Sequence, residues 1–147
     1  MKNVVKTDQA PGAIGPYSQG IQVGDMYFFS GQIPLVPSTG EMPEGIEAQA
    51  HQALKNVKGL LESQGLSFSN VVKTTVFLKD MNDFSAMNEV YQEYFEEPYP
   101  ARSACSVSGL LGGALVEIEA IAIDFRALEI LCAQEEECCD GSCCCRD

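Results

Sequence analysis

A chain of 147 residues with a net charge of −12 is long enough to bury one hydrophobic core, and its acidity makes nucleic acid and anionic membrane surfaces poor partners. The opening MKNVVKTDQAPG has no signal-peptide apolar run, and no stretch approaches the length of a membrane span. The expected location is cytoplasmic.

In chain order, APGAIGPYSQ (10–19) is turn chemistry, with two prolines and two glycines. GIQVGDMYFFSGQIP (20–34) reads as two short strands around Gly24-Asp25, the second ending at Ser30-Gly31. VPSTGEMPEG (36–45) is a loop. In GIEAQAHQALKNVKGLLESQG (45–65), Ile46, Ala50, Leu54, Val57 and Leu61 share one helical stripe, with Gly65 as the stop. NVVKTTVFLKD (70–80) is β-branched and predicts a strand. DMNDFSAMNEVYQEYFEEP (80–98) predicts a second helix through Phe84, Met87, Tyr91 and Tyr94 or Phe95, ended by Pro98. A strand at ARSACSV (101–107), a loop at GLLGG (109–113) and a long strand at ALVEIEAIAIDF (114–125) follow. The order β-β-α-β-α-β-β defines an α+β fold, with two helices packed on one face of a mixed sheet.

Few residues offer chemistry. His51 is the only histidine; in the first helix it lines up with Glu47 and Lys55 on what reads as a solvent face. A histidine dyad and a histidine-rich metal site are excluded by that count. No glycine-rich phosphate loop of either common pattern occurs. Cys105 lies in a strand with no histidine to pair with and reads as a buried structural cysteine. Arg102 is different: a lone cation between small residues at the start of a strand. In the last strand, Val116, Ile118, Ala120 and Ala122 share one face, leaving Leu115, Glu117, Glu119, Ile121 and Ile123 on the other. Two acids in an apolar strand either sit at an exposed sheet end or work. If they work, Glu117 lies beside Arg102 on an adjacent strand. Arg102 would then clamp a substrate carboxylate while Glu117 moves a proton from water. The apolar residues left without helix cover predict self-association.

Five segments occur in a telling order: AIGPYSQG (13–20), FSGQIP (29–34), VVKTTVFLKDMNDF (71–84), YPARSA (99–104) and VEIEAIAI (116–123). Together they resemble the reactive intermediate deaminase (Rid or YjgF-like) family over residues 1–124. The resemblance implies a chorismate-mutase-like fold with a mixed six-stranded sheet, a homotrimer, and active sites between subunits. It implies hydrolysis of 2-imino acids such as 2-iminobutanoate and 2-iminopropanoate, or their enamines, to 2-oxo acids and ammonia, without cofactor or metal. By the same resemblance Arg102 binds the substrate carboxylate and Glu117 activates water. Tyr17 packs at the substrate side chain, Ser30 and Gly31 line the pocket floor, and the Asn88 amide helps order the site. A non-catalytic member that binds small carboxylates, or acts as a chaperone, would keep Arg102 as clamp and have no use for Glu117 as base.

Two features depart from the family pattern: GLLGG stands where a proline-lysine turn is usual, and the chain runs on past the last strand. Residues 127–147 hold six acids, one arginine and six of the seven cysteines: Cys132, Cys138, Cys139, Cys143, Cys144 and Cys145. The expected organisation is a domain over 1–126 and an acidic, cysteine-rich, disordered tail. Cys139 and Cys143 fall within zinc-ligand spacing, and redox and lipid roles are alternatives for the thiols.

Overall fold

The computed structural model describes residues 1–126. The cysteine-rich tail, with its metal, redox and lipid readings, lies outside the described residues. Six strands, β1 (Lys2–Val5), β2 (Gly20–Val23), β3 (Met26–Gln32), β4 (Val71–Leu78), β5 (Ala101–Ser106) and β6 (Val116–Ile123), form one sheet in the order β1-β2-β3-β6-β4-β5. All neighbours pair antiparallel except β4 and β5. Helices α1 (Ile46–Ser63) and α2 (Phe84–Tyr91) carry the crossovers from β3 to β4 and from β4 to β5. The α+β reading, with two helices and a mixed sheet, holds. β1, absent from the chain-order pattern, is an edge strand that pairs with β2.

The core lies between α1, α2 and the face of the sheet that carries Val76, Leu78, Val116, Ile118, Ala120 and Ala122. The α1 stripe meets it through Ala50, Leu54, Val57 and Leu61, all fully buried. Each such leucine contributes about 1.5–3 kcal/mol by leaving water. As expected, α1 stops ahead of Gly65: the Gly65 amide donates to Glu62 O (3.0 Å) and Leu66 N to Leu61 O (3.0 Å), which satisfies the last carbonyls.

Two expectations are corrected. α2 ends at Tyr91, not at Tyr94 or Phe95, because the chain tightens into i→i+3 turns, with Tyr94 N donating to Tyr91 O (3.1 Å). That folds Phe95 back onto the Tyr91 ring (centroids 4.3 Å apart) and brings Tyr94 to α1. There the Tyr94 hydroxyl lies 2.9 Å from His51 Nδ1, so His51 is half-buried against an aromatic ring while Glu47 and Lys55 remain exposed. Cys105 is the second correction: it is exposed. β5 is an edge strand, and alternation points Cys105, in register with Phe77, to the face without helices.

That face carries adjacent cross-strand pairs, Met26 with Ile123 and Phe28 with Ile121. Met26 and Phe28 are each 41% exposed, so a patch of large apolar side chains stands open. Among the described residues no helix is long and apolar enough to cross a membrane.

Candidate active site

The Arg102 guanidinium is set by packing. Arg102 pairs in register with Thr74 across the parallel β4–β5 ladder, and so projects on the helix side. There it lies over two rings, 4.6 Å from the Tyr91 centroid and 5.5 Å from that of Phe84. The Tyr91 hydroxyl is in turn fixed by Thr74 Oγ1 at 2.7 Å, in a buried hydrogen bond. Burial pushes the Tyr91 phenol up, against the opposing effects of Thr74 and Arg102, so it stays neutral. Among the described residues Arg102 makes no salt bridge. It lines a cavity of about 430 Å³ with Asn88, Tyr91, Gln92, Tyr99 and Pro100. An arginine held on an aromatic platform in an open cavity, beside an amide, has the chemistry to take a carboxylate.

Glu117 stands elsewhere. β4 separates β5 from β6, and Glu117 pairs with Phe77 while Arg102 lies level with Thr74 and Ala120. Two strand spacings and three residues of rise put their backbones ~14 Å apart. Alternation also sends Glu117 to the face opposite Arg102. The expected contact on adjacent strands is therefore absent within one chain. Spacing gives the face of Glu117, but neither the face of Arg102 nor the order of strands.

What surrounds Glu117 is a β-bulge. Phe29 pairs with Ala120 and Gln32 with Ile118, so Ser30 and Gly31 together oppose Glu119. The bulge lays Gly31 against Glu117, and a Cβ at position 31 would collide with the Glu117 carboxylate. Burial, and secondarily the negative charge of Glu119, raise the Glu117 pKa above the ordinary glutamate value. The Ser30 hydroxyl donates to Ser18 O (2.7 Å), which ties the bulge to the segment carrying Tyr17. Tyr17 is half exposed, its hydroxyl accepting from Ile14 N at 3.3 Å, so it is no core aromatic. Tyr17 and Gly31 line a mostly apolar cavity of about 330 Å³, walled also by Ile14, Ile33, Leu35 and Leu111.

The sequence-predicted residues thus form two groups: Arg102 with Asn88, and Tyr17 with Ser30, Gly31 and Glu117. Sequence reasoning missed Tyr91 and Phe84 beneath Arg102, although Tyr91 and Asn88, three apart on α2, signalled a shared helix face. It read Ser30-Gly31 as a strand end where the chain makes a bulge. Among the described residues no three His, Cys, Asp or Glu side chains cluster to hold a metal ion.

The small α+β domain thus offers a guanidinium in an open cavity and, at a distance, a half-buried carboxylate beside a glycine bulge, groups chemically able to take an anion and to move a proton. The family model described as Endoribonuclease L-PSP matches residues 7–124. A RutC family protein of Pyrococcus horikoshii is 55% identical over 123 residues, covering 83% of this chain and 98% of its own. The 2-iminobutanoate/2-iminopropanoate deaminase of Escherichia coli K12 is 48% identical over 126 residues, covering 84% and 98%. The crystal structure of E. coli TdcF with bound serine superposes with a TM-score of 0.80 at 47% identity, covering 83% and 98%. The chain belongs to this L-PSP family, in its Rid (YjgF-like) group of reactive intermediate deaminases and their relatives.

Proposed function

We propose that the protein hydrolyses reactive 2-imino acids, among them 2-iminobutanoate and 2-iminopropanoate, to 2-oxo acids and ammonia. The observation that carries this reading is Arg102, a guanidinium held over Tyr91 without a salt-bridge partner among the described residues, in an open cavity. Every such substrate has a carboxylate next to its imine carbon, so a bidentate clamp fixes the reacting carbon as well. The bound serine of TdcF, a small amino acid with the same carboxylate, supports the choice of ligand.

Glu117 supplies the base. Ionised, it takes a proton from water as the water oxygen bonds to the imine carbon, and the π electrons of C=N pass to nitrogen. Glu117 passes that proton to nitrogen, giving a carbinolamine, then takes the carbinolamine's hydroxyl proton and returns it to the amino nitrogen, so that the C–N bond breaks, ammonia leaves and the C=O of the oxo acid forms. Because Arg102 and Glu117 of one chain lie ~14 Å apart on opposite sheet faces, one substrate meets both only where two copies adjoin. On this reading the site lies between subunits, the homotrimer being what the family resemblance implies, with the open Met26–Ile123 and Phe28–Ile121 patch as the proposed contact surface. Cleavage of RNA, which the family description evokes, is opposed by the net charge of −12.

A coupled assay tests this. A dehydratase releases 2-aminoacrylate or its butanoate homologue, semicarbazide traps it, and the protein competes with the trap. Wild type suppresses semicarbazone formation, and Arg102→Ala, which loses charged hydrogen bonds of about 1.5–3 kcal/mol each, loses roughly 10²–10³-fold in kcat/KM. Carboxylate binding without turnover would move the protein to the non-catalytic class.

A further inference from the structure

The buried face of α1 carries amides where a core would take hydrocarbon. Gln49 is 5% exposed and Asn56 1% exposed; seven residues apart, they lie on one side of the helix. Gln49 Nε2 donates to Pro43 O (2.9 Å) and its Oε1 accepts from Leu115 N (2.7 Å). The Leu115 carbonyl is held as well, accepting from Lys79 N at 2.8 Å. Asn56 Nδ2 donates to both Ile33 O (3.0 Å) and Leu35 O (2.9 Å).

Leu115 is two residues ahead of Glu117, and Ile33 is two residues beyond Gly31. The two amides therefore grip the chain on either side of the Gly31–Glu117 contact. The grip matters because what precedes Leu115 is loose by composition: Gly112 and Gly113 both have positive φ (66° and 75°) in the GLLGG segment. On the β3 side, ladder pairing ends at Gln32 with Ile118, so it does not reach Glu117. Without Gln49, the hydrogen bonds that hold the start of β6 come from β4 alone.

We infer that Gln49 is a positioning residue for Glu117, α1 acting with Asn56 as a clasp that fixes the Glu117 carboxylate against the Gly31 bulge. The inference rests on the deaminase reading for its catalytic consequence and on geometry alone for its structural one. Replacing Gln49 by methionine keeps the bulk and removes both hydrogen bonds. Displacing a base without touching the carboxylate clamp lowers kcat by about ten- to a hundredfold while KM holds.

The experiment pairs imino acid kinetics with amide hydrogen exchange on the full-length protein. In Gln49→Met, kcat falls at constant KM, and exchange at Leu115 speeds up at least about tenfold while the β4 amides stay protected. In Gln49→Glu, a protonated carboxyl can accept from Leu115 N and donate to Pro43 O. It restores Leu115 protection and most of kcat, a rescue that a bulk-packing role would not produce. A Gln49→Met protein with wild-type kcat and wild-type exchange at Leu115 overturns the inference, as does a Gln49→Glu protein that folds and is not rescued. If wild type turns over no imino acid, the deaminase reading fails, and Leu115 exchange in the two variants still decides whether Gln49 holds this segment.

Discussion

As the base of the proposed hydrolysis Glu117 must be ionised, yet its surroundings favour the proton. Burial comes first and the Glu119 charge second, and both raise its pKa. The acid limb of kcat/KM therefore falls at higher pH than an ordinary glutamate would give. Glu119→Gln removes the second cause and moves that limb to lower pH; a limb that does not move would detach Glu119 from the site. The same shift has a consequence for stability. A carboxyl with a raised folded-state pKa adds stability below its unfolded pKa and loses it as pH rises through the folded value. Glu117→Gln should thus abolish turnover yet melt higher than wild type at neutral pH. That advantage should disappear below about pH 4, where both states of the wild type are protonated. Melting curves at the two pH values check the sign.

Between strands and helices, the platform beneath Arg102 joins β4, α2 and β5. Tyr91 has two separable duties there: its ring supports the guanidinium, and its hydroxyl satisfies buried Thr74. Tyr91→Phe leaves the Thr74 hydroxyl short of a partner, at a cost of about 1–3 kcal/mol in urea unfolding, with KM little changed. Tyr91→Leu also takes away the ring and raises KM. Equal KM values for the two variants would show that the ring does not hold Arg102. Much at this scale was legible from periodicity, since helical and strand repeats state which side of an element is apolar. That held for the α1 stripe and for Val116, Ile118, Ala120 and Ala122. The bulge at Ser30-Gly31 escaped because it arises from a mismatch of two strands far apart in sequence, and neither strand carries it alone. Cys105 was misjudged for a related reason: a short strand of small residues reads the same whether it is central or at an edge.

At the scale of the molecule, pairing order decides what a single chain can do. β6 enters between β3 and β4, which sets Arg102 and Glu117 two strands apart on opposite faces. Family motifs made both residues visible in the sequence. Their separation was not visible, because strand order is a long-range property: β6 returns after β5 to pair with β3 and β4. The open apolar face gives the domain a reason to associate, and in the proposed assembly Arg102 of one copy would reach Glu117 of another.

Subunit complementation tests that sharing most directly. Arg102→Ala and Glu117→Gln are each prepared alone, then mixed by co-expression, and assayed on 2-imino acids. Each variant alone is inactive. In mixed assemblies, random partnering restores an intact Arg102 facing an intact Glu117 at roughly a quarter of the interfaces, and activity returns in that proportion. A mixed assembly no more active than its parents, while wild type turns over the same substrate, would contradict a site built from two subunits.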